Sequence, residues 1–478
     1  MRVTPKTRRD FLRRGACALA GSALVGSGFD RLGLVRALAA RGNSAGYKAL
    51  VCVLLDGGND GNNTVIPHDE YNSPGGYAAV RAASGLAVAK EDLLPLSPPS
   101  QQGRKFGFHP NLKELQALFN QQKLAVLCNT GTLVRPLTRE LYRAGVGHPY
   151  QLFSHSDQVD QQQTVASIEP GQTGWGGRIS DLMSGANGDS ALPLAVSTAG
   201  KTSLFATGGE TRQLVVSPES QRLSESLSVD LGSDFPPDYY AARRVAFDRV
   251  WEDAAADASR GTLTKVAAET IREALRAHQA LASDPVLPPL QPGQTEFPAT
   301  RLGLQLRQVA KLVAVGRALG LSRQIFFCSL DGFDNHANQR GGGQDQLLLH
   351  LSLSLKAFYD ATVRLGAASE VTAFTLSDFG RTLEPSGSGS AVGSDHGWGN
   401  HHLVVGDAVR GGDFYGAFPT LALGGPDDAD ERGRWIPTTS VEQYAATLAN
   451  WFGLAPSDLP RVFPLIGRFP TPDLGFML

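Results

Sequence analysis

Cysteine is scarce, with four residues in 478, and one of them, Cys17, falls in a segment that reads as an export signal. The other three, Cys52, Cys128 and Cys328, are an odd number, which argues against a disulfide framework in an oxidising compartment. Each lies inside a short apolar run and reads as a small buried hydrophobe. An excess of charge of one sign is lacking too, since 44 basic residues face 46 acidic ones. Without a large basic surface there is nothing to condense on phosphates, so a nucleic-acid partner is not expected. No stretch beyond the N-terminal segment reaches the ~18 uninterrupted apolar residues of a bilayer span, so the chain is not expected to be an integral membrane protein. It has no internal repeat, and its 54 glycines and 28 prolines follow no collagen-like period. What it does have is core material. At 42% hydrophobic over 478 residues it exceeds the ~250–300 residues over which one core usually grows.

The N-terminus carries Thr7-Arg8-Arg9-Asp10-Phe11-Leu12-Arg13 ahead of a modest apolar run at 15–29 and a small-residue pattern at Ala37-Leu38-Ala39. Basic, then apolar, then small is the order of a cleaved signal, and the paired arginines predict a Tat signal peptide over residues 1–39. Export through the Tat translocon to the periplasm or beyond is the expectation. This segment holds eight basic and two acidic residues, leaving 36 against 44 in the rest, a formal charge of −8. The near-neutral precursor therefore implies an acidic mature protein.

Apolar runs of strand length alternate with segments of helical period. Residues 49–55, 124–128, 192–196, 325–330 and 371–376 read as strands, the first buried on both faces. Leu302, Leu306, Val309 and Val313 mark one face of a helix, and Leu347, Leu351, Leu355 and Phe358 mark another. This alternation predicts an α/β fold with a mostly parallel central sheet flanked by helices. The rhythm breaks at about 210–300. Helical patterns at 240–258 and 263–281 precede Pro285, Pro288, Pro289, Pro292 and Pro298, which reads as a helical and Pro-rich insertion within one large domain spanning 40–478. Ser440 and Gln443 have the spacing of a capping box that opens a last helix.

Ligands of parallel sheets bind outside the carboxyl ends of the strands. Those ends are acidic here: Asp56 and Asp60 after the first strand, Asp331 and Asp334 with His336 after another, and Asp378 after 371–376. Asp395 and His396 follow closely. Carboxylates gathered at one edge repel each other unless a cation or protons are present. Asp with His suits Zn²⁺, Mn²⁺ or Fe, whereas carboxylate with Asn and water suits Mg²⁺ or Ca²⁺. The segment from Asp56 is not an EF-hand, because Pro67 stands where the bidentate Glu is required. It reads as a Gly-rich turn aiming Asp56 or Asp60 at a metal and its Asn amides at a substrate oxyanion. Thr64, Ser154 and Ser156 are candidate nucleophiles, each alternatively an ordinary turn hydroxyl. Arg381 either pairs with a tetrahedral anion or forms a structural salt bridge. His401 and His402 open an apparent strand and face opposite sides, so at most one points at the site. His68, His109, His278 and His350 read as structural.

Several motifs stand together in order: Leu55-Asp56-Gly57-Gly58-Asn59-Asp60-Gly61, Phe153-Ser154-His155-Ser156-Asp157-Gln158, Thr173-Gly174-Trp175, Asp334-Asn335-His336, Ser377-Asp378-Phe379-Gly380-Arg381-Thr382 and Asp395-His396. With the Tat signal, they make the chain resemble the exported bacterial family catalogued as domain of unknown function 1501. That family is similar in turn to the alkaline phosphatase and sulfatase superfamily. The resemblance implies a two-metal hydrolase of phosphate or sulfate esters, small or polymeric, dependent on a divalent metal. Asp56 resembles the superfamily's first-strand ligand, Asp334 and His336 its Asp and His pair, Asp378 the Asp of a later pair, and His396 its final His. Phe379 departs from the pattern by standing where the later pair's His is expected. The expectation is an exported metal-dependent ester hydrolase. Phe379 and the undecided nucleophile favour the alternative, a catalytically silent periplasmic binding or assembly protein with the same fold.

Overall fold

The computed structural model describes residues 46–219, 261–282 and 285–478, together with positions 223, 245, 246, 249, 250 and 253. The Tat segment 1–39 and most of the helical pattern at 240–258 lie outside the described residues. The strands used below, in chain order, are β1 (Lys48–Asp56), β2 (Leu124–Gly131), β3 (Ala195–Ser197), β4 (Leu214–Val215), β5 (Arg323–Asp331), β6 (Val371–Ser377), β7 (Arg381–Ser386), β8 (Gly393–His396), β9 (Asn400–Val405), β10 (Phe414–Tyr415) and β11 (Thr439–Ser440); Val65–Pro67, Leu94–Leu96 and Phe106–Phe108 form a small separate sheet. The helices used below are α1 (Lys113–Asn120), α2 (His155–Thr164), α3 (Trp175–Leu182), α4 (Thr262–Leu281), α5 (Arg301–Ala318), α6 (Gln344–Arg364) and α7 (Val441–Phe452).

Nine strands form the central sheet in the order β10-β2-β9-β6-β1-β5-β3-β4, with β11 beside β2. β1 lies at its heart, parallel to β5 on one side and β6 on the other. Its sequence explains that position. Ala49, Val51, Val53 and Leu55 enter one core, while Leu50, Cys52 and Leu54 enter the other, so both faces must be covered. Helices α1, α5 and α6 contribute Leu115, Leu306, Val309, Leu351 and Leu355 to the first core. Helices α3 and α7 contribute Trp175, Ile179, Tyr444 and Leu448 to the second. The fold is therefore α/β, a mostly parallel sheet between two helical layers.

One strand runs against the rest. β9 is antiparallel to both β2 and β6. After β6 the chain folds into the antiparallel β7–β8 hairpin at the carboxyl edge and must return across the sheet, and no crossover helix intervenes to restore direction. From the stretch 210–300, Leu214, Val216, Leu223, Ala277 and Leu281 enter the first core, and residues 285–300 form no regular element. Cys52, Cys128 and Cys328 are free and buried. Among the described residues no helix is long and apolar enough to cross a membrane.

Helix α7 opens with the capping box. Ser440 Oγ accepts from Gln443 N at 3.1 Å, and Gln443 Oε1 accepts from Ser440 N at 3.0 Å. Ser440→Ala leaves a helix-terminal N–H unpaired in a fully buried setting, and we expect it to lower the unfolding free energy by about 1–2 kcal/mol. Urea titration at neutral pH reads this directly.

Candidate metal centre

The carboxyl ends of β1, β5 and β6 are brought level by the parallel register, which sets Asp56 opposite Asp331 and Leu55 opposite Ser377. Just beyond them the chain turns back on itself. Phe333 N donates to Asp56 O at 3.0 Å, and Gly57, at φ +110°, lies so close beneath this turn that a Cβ there would meet Asp334 N at 2.4 Å. Only glycine permits that approach. The turn delivers Asp334 and His336, while the end of β8 delivers His396, paired across the hairpin with Arg381.

The fourth member comes from elsewhere. His155 is the first residue of α2, a helix whose Gln158, Gln161, Gln162 and Gln163 are all buried. Two of those amides act as clamps: Gln158 Oε1 accepts from Phe153 N at 2.8 Å, and Gln163 Oε1 accepts from Phe205 N at 2.9 Å. Phe153 adopts φ +70°, a left-handed backbone that a bulky side chain rarely holds without support. The Gln158 bond and the Arg434 guanidinium, 4.1 Å above its ring, supply that support.

His155, Asp334, His336 and His396 each present a ligand atom, all within 4.8 Å of one another, and can hold a metal ion. His396 Nε2 lies 3.0 Å from His155 Nε2 and 2.9 Å from His336 Nε2. Asp334 Oδ1 stands 3.3 Å from His155 Nε2, 3.1 Å from His336 Nε2 and 3.8 Å from His396 Nε2. Every opposite ring nitrogen meets an oxygen: His155 Nδ1 faces Asp378 Oδ2 at 2.7 Å, His336 Nδ1 faces Asp395 Oδ1 at 2.9 Å, and His396 Nδ1 faces the Phe153 carbonyl at 2.6 Å. A carbonyl can only accept, and an ionised carboxylate likewise, so each Nδ1 carries the proton and each Nε2 lone pair is turned inward. Three inward lone pairs and a carboxylate fit a cation, and the outer oxygens are the supports that metal-bound histidines ordinarily have.

Electrostatics agree with the geometry. The Asp378 hydrogen bond raises the His155 pKa against the opposing effect of burial. Burial lowers that of His396, the Phe153 bond opposing it. For Asp334 burial pushes upward, but the Arg381 hydrogen bond and charge, with His155 and His336, hold it below the usual carboxylate range. The side chains of Asp334 and His336 are 50% and 45% exposed, so the group opens to solvent on that side.

Three of the five metal-ligand candidates read from the sequence, Asp334, His336 and His396, thus meet. Asp56 and Asp378 stand outside the group. Asp378 is fully buried and spends one oxygen on Gly57 N at 3.0 Å and the other on His155. The Asp56 carboxyl is pushed above its usual range by burial and then by Asp378 and Asp331. Asp60, the other acid of the Gly-rich turn, is bound by Arg81 and faces no metal position. The hydroxyls do not converge on the group either. Thr64 is buried and bonded to Asn59 and to Asp60 O, while Ser154 Oγ donates to Asp157 at 2.5 Å beside the exposed Ser156. Arg381 is 2% exposed, and its donors are committed to Gly57 O, Gly58 O, Phe333 O, Ser394 O and Asp334, so it positions Asp334 and presents no fork to an anion. His401 and His402 are both buried in the sheet away from the group. His155, Asp395 and the Phe153 carbonyl were not identified as site groups from sequence, although His155 lies at the centre of the Phe153–Gln158 motif.

Against known proteins, a family model described as "Protein of unknown function (DUF1501)" matches residues 47–453. No curated protein matches. Among solved structures, Ps i-CgsB in complex with k-i-k-neocarrahexaose is similar at 10% identity and TM-score 0.32, over 89% of this chain and 77% of that one. The PsFucS1 sulfatase from Pseudoalteromonas sp. is similar at 9% identity and TM-score 0.30, over 90% of this chain and 72% of that one. The phosphonate monoester hydrolase of Agrobacterium radiobacter is similar at 9% identity and TM-score 0.28, over 87% and 77%.

Proposed function

From the premise that this chain belongs to the DUF1501 family, we propose that it is an exported, metal-dependent hydrolase of sulfate or phosphate esters. The observation that carries the reading is the group of three inward-facing Nε2 atoms and Asp334 at the carboxyl edge of a parallel sheet, each imidazole braced from behind by an oxygen. Zn²⁺, Mn²⁺, Mg²⁺ and Ca²⁺ are the divalent ions to be compared. When bound, such an ion supplies Lewis-acid polarisation of an ester oxygen. The chain's own residues do the rest. His155, His336 and His396 would hold the ion, Arg381 fixes Asp334, and the side at Asp334 and His336 is open to solvent, where an ester would enter. Asp56, half-buried at this edge with its pKa raised by burial, is the carboxyl assigned to proton transfer. Arg8 and Arg9 support export to the periplasm through the Tat translocon.

A second reading, a silent binding or assembly protein, is favoured by one observation: none of Thr64, Ser154 or Ser156 presents a free hydroxyl to the group. Metal analysis of the purified protein and a screen of aryl phosphates and aryl sulfates separate the two. Hydrolysis of one ester class should fall at least ~10²-fold on chelation, and equally in His336→Ala. Absence of both bound metal and turnover would replace the first reading by the second.

A further inference from the structure

We propose that this centre holds one ion per chain, of the nitrogen-preferring zinc class, and that Asp378 and Asp395 are positioning residues that select it by fixing the tautomers of His155 and His336. The inference deepens the metal-dependent reading above and rests on it.

Ligand type comes first. Three imidazole nitrogens to one carboxylate suit Zn²⁺ and its borderline neighbours, whereas Mg²⁺ and Ca²⁺ take oxygen ligands. Separation comes second. A tetrahedral ion with ~2.0–2.1 Å bonds to nitrogen sets its donors about 3.3 Å apart; five of the six donor pairs here stand at 2.9–3.8 Å, and all four atoms lie within 4.8 Å of one another. Solvent reaches the open side, where a further ligand can enter.

The count follows from how the adjoining acids are used. Among the described residues this is the one group of three or more such side chains that converges. Asp378, the acid nearest to it, has no exposed surface and has both oxygens engaged. The Phe379 ring packs beside two of the ligands. It lies 4.7 Å from the His155 ring and 4.9 Å from the His396 ring, and a Cβ on Gly58 would meet it at 2.5 Å. Among the described residues, Asp56 belongs to no converging group of three or more such side chains that would hold a second ion. Asp395 is held in turn by Arg432 at 2.6 Å and by its own backbone N–H donating to Thr382 Oγ1, so the bracing of His336 is itself braced.

The test is calorimetry and metal analysis on the full chain, stripped by chelator and resupplied separately with Zn²⁺, Co²⁺, Mg²⁺ or Ca²⁺. One Zn²⁺ per chain is expected, bound at least ~10³-fold more tightly than Mg²⁺ or Ca²⁺. Asp378→Asn should weaken Zn²⁺ by about 10–100-fold and shift the visible spectrum of the Co²⁺ form, with the far-ultraviolet circular dichroism unchanged. Because Asp378 also holds Gly57 N, Asp395→Asn serves as the second variant, with the same expectation. Two ions per chain, or Mg²⁺ or Ca²⁺ bound as tightly as Zn²⁺, would overturn this inference and leave the hydrolase reading standing. Unchanged affinity and spectrum in both variants would overturn the positioning roles. No binding of any ion would overturn the metal reading itself.

Discussion

Replacing Arg81 with methionine is expected to lower the unfolding free energy by about 3–5 kcal/mol, the cost of leaving a buried charge without its partner. Arg81 is fully buried, and its guanidinium meets Asp60 Oδ2 at 2.6 Å and Asp60 Oδ1 at 3.2 Å, with the Asp60 side chain only 1% exposed. The same group satisfies three further acceptors, Asn63 Oδ1, Leu383 O and Thr382 O. Methionine keeps the volume and removes every donor. Asp60 then retains only the Asn62 and Gln339 donors for its charge. Adding Asp60→Asn should recover part of the loss, because a neutral amide is cheaper to bury than an unpaired carboxylate. Urea unfolding of the two single variants and the double variant closes a cycle that measures the pair. If Arg81→Met costs under about 1 kcal/mol, or if the cycle shows no coupling, the network is not holding the turn as the geometry requires. A second consequence is local. Thr382, which Arg81 holds by its carbonyl, accepts from Asp395 N through its hydroxyl, so the variant should also weaken metal binding through His336.

The fold was legible wherever two-sided burial left a mark in composition. Residues 49–55 are apolar at every position, and a strand of that kind belongs inside a sheet covered on both faces. Direction is a different matter. The apolar run in β9 looks like that in β6, and nothing in the residues says that one is antiparallel. That depends on how the chain gets from one strand to the next, here a hairpin in place of a crossover helix. The turn after β1 shows a related limit. Its acids and amides suggested ligands, but what decides the role of Asp60 is Arg81, 21 residues on and pointing inward from a short helix.

At the site, spacing along the chain located Asp334, His336 and His396 because they follow strands at one edge. Nothing in the spacing along the chain links His155 to the other ligands, because it opens a helix remote from them in sequence. Its motif offers two flanking hydroxyls as well, whereas the group that converges with the other ligands is the imidazole between them. Asp378 and Asp334 look alike in sequence, each just past a strand. Only the imidazole between them tells them apart, since Asp378 touches Nδ1 of His155 and Asp334 faces Nε2. A ligand and the group that orients it are both acids in such a pattern, and the distinction is geometric.

Acid should unfold this protein through two histidines that take no part in the site. His401 and His402 lie side by side on β9, fully buried, and burial pushes both pKa values down to about 3. The contacts agree with neutral rings. His401 Nδ1 accepts from Asn129 N at 3.2 Å, which requires a lone pair, and its ring stacks on Phe418 at 4.7 Å. His402 stacks on Tyr444 at 5.6 Å and, among the described residues, has no hydrogen-bond partner at either nitrogen. A folded-state pKa below the unfolded value means that the unfolded chain binds more protons, so stability falls as pH drops from about 6.5 toward 3. At pH 5 the loss is roughly 2 kcal/mol for each histidine, or about 4 kcal/mol together, since every tenfold difference in proton affinity between the two states is worth about 1.4 kcal/mol. His402→Leu removes one titrating group and two unpaired buried nitrogens while keeping an apolar body against Tyr444. It should be more stable at neutral pH by about 1–3 kcal/mol and should lose roughly half of the acid slope. Urea unfolding at several values between about pH 4 and pH 8 distinguishes this from the alternative source of acid lability, protonation of the paired carboxylates. An unchanged slope in His402→Leu would assign the acid limb to those carboxylates.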